Sequence, residues 1–171
     1  MKHIIVTPSF YIRRIIKEKI EAGKKIRIIS DYDVDGVSSN YILYQGLKRC
    51  GADVDYKIPD RVEDGYGINE HLIEQAAEDG IDTIITCDNG IAAMTQIQKA
   101  KDLGMTVIVT DHHEVPFEDV EGGRKEILPP ADAVVNPKQK ACSYPFAGLC
   151  GAAVAMKVME ALYEKMAPEV D

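Results

Sequence analysis

The sequence predicts an α/β domain: a parallel β-sheet with helices on both faces. Three observations carry that prediction. Short β-branched runs such as Ile26-Arg-Ile-Ile29, Ile81–Thr86 and Met105–Thr110 lack the in-out alternation of a half-exposed strand, so they read as buried on both sides. Helical stretches stand between them, most closed by a glycine (Gly23, Gly51, Gly80, Gly104). Acids and imidazoles gather where the strands end.

The elements follow in order. Thr7-Pro8 forms an N-cap and first helical position for a helix running to about Glu21. Lys25–Asp31 is the first strand. A helix from Val37 to Gly51 presents Val37, Tyr41, Tyr44 and Leu47 as its apolar face. Asp53–Ile58 is a short strand and Pro59–Gly67 a loop. A helix over Asn69–Asp79, the strand Ile81–Thr86, a helix over Ile91–Leu103 and the strand Met105–Thr110 complete the repeating βα pattern. Val115–Pro130 is loop-like, rich in Pro, Gly and acid. Ala133–Val135 is one more strand, and a helix from Leu149 to Met166 closes the chain. Its Leu149, Ala152, Met156, Met159, Tyr163 and Met166 recur at helical spacing as a core stripe. The organisation expected is an N-terminal helical segment over residues 1–23 and one domain over 24–171.

The 171 residues, 46% hydrophobic and 28% charged, suffice for one sizeable core. Apolar runs are short and broken by charge, which excludes a membrane-spanning helix, and no secretory leader is evident. The four cysteines, Cys50, Cys87, Cys142 and Cys150, form no C-x-x-C pair, so they read as reduced thiols of a cytoplasmic protein. The net charge of −8 argues against bulk electrostatic attraction of nucleic acid. Residues 1–27 nonetheless hold eight of the twenty Lys/Arg and only two of the twenty-eight acids. Among those basic residues, Arg13, Arg14, Lys17 and Lys19 read as a solvated helix face. The acidic body either serves solubility or clusters carboxylates around cations.

Position favours the second reading. In open parallel sheets ligands bind beyond the carboxyl ends of the strands. There the first strand runs into Asp31-Tyr-Asp33-Val-Asp35-Gly36, the third into Cys87-Asp88-Asn89-Gly90 and the fourth into Asp111-His112-His113-Glu114. Crowded carboxylates repel one another unless a cation neutralises them. Carboxylate and imidazole together suit Mn²⁺, Mg²⁺, Fe²⁺ or Zn²⁺, and this many ligands suffice for two ions at a phosphoryl centre. Taken singly, Asp35 serves equally as a helix N-cap and Asp88-Asn89-Gly90 as a βα turn. Their joint occurrence at three strand ends, with the His112-His113 pair, shifts the balance. An EF-hand is excluded, because the twelfth position counted from Asp31 is Ile42 and not Glu. An aspartyl-nucleophile phosphatase of haloacid-dehalogenase type matches Asp31-Tyr-Asp33-Val34 but leaves Asp35, His112 and His113 unexplained.

The ordered set Asp31-Tyr-Asp33-Val-Asp35-Gly36, Asp88-Asn-Gly90 and Asp111-His112-His113 resembles the first three motifs of the DHH phosphoesterase superfamily. Asp64-Gly-Tyr-Gly-Ile68, Val135-Asn-Pro-Lys138 and Cys142-Ser-Tyr-Pro-Phe-Ala-Gly-Leu-Cys-Gly151 narrow the resemblance to its RecJ branch, the single-strand-specific 5′→3′ exonucleases. What the resemblance implies is a phosphodiesterase using two Mn²⁺ or Mg²⁺ ions on single-stranded DNA, in repair and recombination, with replication or repair proteins as partners. By matched position it implies that Asp33 and Asp35 bind different ions, that Asp88 bridges them and that His112 is a ligand. His113 would meet the scissile phosphate, with Asp111 orienting a histidine, and Asp31 would add a contact to the metals. Arg61 and Tyr66 would grip a phosphate or stack a base. Ser38, Asn136, Tyr144, Gly148 and Gly151 fall beside the substrate, the glycine amides being open to a phosphate oxygen.

The sequence departs from the family twice. A histidine ligand common four residues before the aspartate matched by Asp33 is Ile29 here. The fourth motif, Gly-Thr-x-x-Asp, and the second lobe are not found before Asp171, so the expectation is a domain incomplete at its C-terminus and weakly active alone. Two alternatives remain: a superfamily enzyme acting on short oligonucleotides, cyclic dinucleotides or polyphosphate, and a non-catalytic module of the same fold that binds nucleic acid or a partner.

Overall fold

A computed structural model describes residues 9–60 and 67–166. Within them α1 (Ser9–Glu21), β1 (Ile26–Ser30), α2 (Val34–Arg49), β2 (Val54–Lys57), α3 (Glu70–Glu78), β3 (Thr83–Cys87), α4 (Met94–Asp102) and β4 (Thr106–Thr110) follow one another. Then come β5 (Phe117–Val120), β6 (Gly123–Glu126), β7 (Ala133–Val135) and α5 (Gly151–Met166).

Five strands form one sheet in the order β2-β1-β3-β4-β7, every neighbouring pair parallel. β1, β3 and β4 run in register, Ser30 beside Cys87 and Cys87 beside Thr110, so their carboxyl ends lie level. The chain leaves β1 toward β2 on one side and reaches β3 on the other. That reversal opens a crevice beyond β1 and β3, where doubly wound sheets place their ligands.

Alternation along the central strands feeds two cores. Ile26, Ile28, Ile85, Cys87 and Ile108 face α1, α2 and α5, while Ile29, Ile84, Val107 and Val109 face α3 and α4. At about 25 cal/mol per Å² of apolar area removed from water, these two layers supply the main stabilisation of the sheet. α1 contributes Ile12, Ile15 and Ile16 to the first of them.

Three expectations change. Helix α2 begins at Val34, because the Asp33 carboxylate caps it by accepting the Gly36 amide at 2.9 Å. Its buried face is Gly36, Ser39, Asn40, Leu43, Gly46 and Leu47, whereas Val37 and Tyr41 are exposed. Small residues win that face because α5 approaches closely: a Cβ on Gly46 would lie 2.6 Å from Met159 Cε. On α5 the buried stripe is Gly151, Val154, Ala155, Val158, Met159, Leu162 and Met166, and Met156 points outward at 52% exposure. Finally, the supposed loop contains the hairpin β5–β6, whose residues are almost all exposed and so carry no apolar alternation to betray it.

Candidate metal centre

Each acidic cluster is held by local structure before any ligand is considered. Beyond β1, Asp31 turns inward at 2% exposure. The chain passes so close there that a Cβ on Gly36 would lie 2.4 Å from the Asp31 carbonyl oxygen, so only glycine fits. Asp33 caps α2. Asp35, one residue into that helix, reaches across to α5 and accepts the amides of Gly151 (2.7 Å) and Ala152 (2.8 Å) on its two oxygens. A carboxylate at a helix N-terminus is favoured by the exposed amides and the dipole.

Beyond β3, Asp88 takes a left-handed backbone conformation (φ 60°), uncommon for a residue with a side chain. The adjoining Asn89 holds it there. Its Nδ2 donates to Ile29 O (3.1 Å) and Cys87 O (3.0 Å), tying β1 to β3, and its carbonyl accepts the Thr86 hydroxyl (2.9 Å). Beyond β4, Asp111 is fully engaged. Oδ2 accepts the Ile91 amide (2.9 Å), while Oδ1 accepts the amides of His112 (2.7 Å) and His113 (3.1 Å) and meets His113 Nδ1 at 2.7 Å. A carboxylate oxygen serving these amides is an acceptor, so His113 Nδ1 carries the proton.

These supports converge on one cleft. His112 Nε2 stands 2.9 Å from Asp88 Oδ1 and 3.4 Å from Asp35 Oδ2. Two sets of side chains each bring three ligand atoms within 4.8 Å of one another: Asp31, Asp33 and Asp88, and Asp88, His112 and His113. Asp88 belongs to both. Among the described residues the buried oxygens Asp31 Oδ1 and Asp88 Oδ1 have no hydrogen-bond partner.

The electrostatic consequence is strong. Burial, then the charges of Asp35 and Asp33, push the Asp88 carboxyl up to about 7. Burial and the neighbouring Asp33 also raise Asp31, against the pull of a backbone hydrogen bond. Burial works against protonation of His113, but the hydrogen bond and charge of Asp111 outweigh it and raise this group. Unsatisfied buried carboxylate oxygens with imidazoles beside them match the donor set of a divalent cation such as Mn²⁺.

The structure thus gathers Asp31, Asp33, Asp88, His112 and His113, sets Asp111 behind His113, and engages Asp35 with α5. The other expected residues lie as follows. The Gly151 amide is occupied by Asp35 and is not open to a phosphate. Asn136 is fully buried, and its Nδ2 donates to His113 O at 2.9 Å. The Ser38 hydroxyl is turned back onto Val34 O at 2.6 Å. Tyr144 packs half-buried against the α2/α5 core, and Gly148 is exposed beneath the Phe146 ring. Arg61 and Tyr66 lie outside the described residues. Gly36, Asn89 and Gly90 join the site although the sequence motifs alone assign them no role in it. The signal for Asn89 and Gly90 is their place in a tight turn at a switch-point strand, where Gly90 has φ 106° and a Cβ would sit 2.6 Å from Thr86 Oγ1.

A doubly wound sheet with this acid and imidazole cluster defines a class, and comparison with known proteins agrees: residues 25–171 match the model of the DHH family, N-terminal domain. The chain belongs to that family. Within it the likeness is to RecJ: the chain is 43% identical, over 155 residues, to the single-stranded-DNA-specific exonuclease RecJ of Bacillus subtilis (strain 168). That match takes in 91% of this chain but 19% of the relative, so the chain spans about a fifth of its length. Among solved structures, an exonuclease RecJ bound to manganese superposes with a TM-score of 0.82 at 31% identity, over 97% of this chain and 40% of that one. RecJ in complex with Mn²⁺ from Thermus thermophilus gives 0.73 at 28% identity, over 97% and 22%.

Proposed function

We propose that the chain is the metal-dependent phosphodiesterase lobe of a RecJ-type exonuclease acting on single-stranded DNA, in repair or recombination. The observation that carries this reading is Asp88, shared by the two ligand sets. One ion would be held by Asp31, Asp33 and Asp88. The other would be held by Asp88 and His112, with Asp35 beside them. When bound, two Mn²⁺ or Mg²⁺ ions supply neutralising charge and a Lewis acid for the phosphoryl oxygens.

The protein's own groups do the rest. Asp111 keeps the proton on His113 Nδ1, which turns Nε2 of that ring toward the cleft. The hydrogen bond and charge of Asp111 favour the protonated ring of His113 against its burial, and as a cation it would meet negative charge growing on a phosphate oxygen. Asn136, by holding His113 O, fixes the backbone that carries the ring. Asn89 fixes Asp88 in the same way. No helix among the described residues is long and apolar enough to cross a membrane.

The test is digestion of a 5′-phosphorylated single-stranded oligonucleotide in Mn²⁺. Mononucleotide release that stops in chelator and in Asp88→Ala supports the reading. Release that continues in Asp88→Ala contradicts it.

A further inference from the structure

Resting on that reading, we infer that Lys138 forms a phosphate subsite beside His113, releasing Glu114 to take a non-bridging oxygen of the nucleic-acid backbone. Lys138 follows β7, at the same edge of the sheet as the metal ligands. Its placement is enforced from within. The amide of Lys138 donates to Asn136 Oδ1 at 2.8 Å, and Asn136 Nδ2 donates to His113 O at 2.9 Å. One fully buried side chain therefore sets the position of Lys138 relative to His113. Gln139 fastens the same turn through Nε2 to Val134 O (3.1 Å) and Asn136 O (3.2 Å).

The ammonium group ends 2.8 Å from Glu114 Oε1, on the residue next to His113. Its own side chain is only 29% exposed while that of Glu114 is 86% exposed. The lysine is thus supported and its partner is a solvated carboxylate, an arrangement that holds the pair weakly. Around it the cleft carries Asp31, Asp33, Asp35, Asp88 and Asp111, a field that repels a polyanion. Asn136 binds the backbone of both Lys138 and His113, and the ammonium ends on the residue that follows His113, so the lysine stands at the rim of that acidic cleft on the His113 side. A lysine on a fixed backbone suits this task, since a point charge can follow either non-bridging oxygen.

The test is binding of a phosphorothioate-linked oligothymidine to the full chain in Mn²⁺ across a salt series. Each lost phosphate contact makes the slope of log affinity against log salt shallower by about 0.7 on a single strand. Lys138→Met is expected to show that change and to weaken binding roughly three- to tenfold at moderate salt. Lys138→Arg should restore the slope. Glu114→Gln, which frees the ammonium, should tighten binding. A Lys138→Met slope equal to that of the unsubstituted chain, or weaker binding by Glu114→Gln, overturns the proposal. No binding by the unsubstituted chain overturns both it and the reading on which it rests.

Discussion

The two edges of the sheet use the same residue type in opposite ways. At the amino edge aspartates pair with basic side chains. Arg27, 4% exposed, is held by Asp55 at 2.6 Å and Asp79 at 2.9 Å, Lys19 pairs with Asp82, and Lys101 pairs with Asp132, which also accepts the Val107 amide. At the carboxyl edge Asp31 and Asp88 are as deeply buried as Arg27, but among the described residues no lysine or arginine pairs with either of them. An oxygen of each lacks a hydrogen bond, as Arg27 Nη1 does at the other edge despite its ion pair. Aspartate at the first edge holds strands together. At the second it crowds buried negative charge that a divalent cation would neutralise. An acidic sequence therefore says little until each carboxylate is assigned to an edge.

The largest effect should come from breaking the second edge. Asp88→Ala is expected to lower Mn²⁺-dependent cleavage on the order of 10³-fold, measured as initial rates. Without metal, Asp88→Asn should do the reverse to stability. The Asp88 carboxyl stands near 7 in the fold against the ordinary 3.8, so its neutral form is the one the fold favours. Stability from this group is fully present below about 4 and is lost as pH rises through about 7. The neutral asparagine removes that loss, stabilising the metal-free chain at pH 8 by about 2–4 kcal/mol in urea titrations. If the substitution destabilises the metal-free chain at pH 8, the contrast between the edges fails.

Breaking the first edge tests the other half. Arg27→Met leaves Asp55 and Asp79 facing each other, and because both are about half exposed the cost should be about 2–3 kcal/mol rather than that of a fully buried pair. Mn²⁺ affinity by calorimetry should stay within about twofold. Acid sharpens the comparison. Asp82 is held below its usual range, its bonds to Lys19 and Thr83 outweighing burial, so what it contributes is present above about 4 and is lost on acidification. The amino edge weakens in acid, whereas the metal-free carboxyl edge weakens toward alkali.

A smaller effect is expected behind His113. Asp111→Asn keeps the shape but replaces one acceptor oxygen with an amide. Mn²⁺ affinity or cleavage should fall roughly 10- to 100-fold, with the chain still folded.

Much of this is legible in the sequence, for reasons that are local. Ile26–Ile29, Ile81–Thr86 and Met105–Thr110 are apolar enough to require burial on both faces, and a parallel sheet levels their ends, which brings Asp33, Asp88 and His112 together. What is not legible depends on distant partners. Nothing near Asp35 in sequence announces that its carboxylate will accept amides 116 and 117 residues away. The apolar Val37 and Tyr41 point to the wrong face of α2, because the close approach of Met159 selects Gly46 for burial. The hairpin β5–β6 leaves no pattern to read, since its Phe117-Glu-Asp-Val120 and Gly123-Arg-Lys-Glu126 are held by backbone pairing with almost no burial.

The most direct test of the account is a Mn²⁺ titration of the unsubstituted chain and Asp88→Asn, read by calorimetry for stoichiometry and by electron spin resonance for coupling between ions. A bridging Asp88 predicts two bound ions with coupled spins in the first, and loss of both the coupling and most of the affinity in the second. Two ions bound with unchanged affinity and coupling in Asp88→Asn would contradict it.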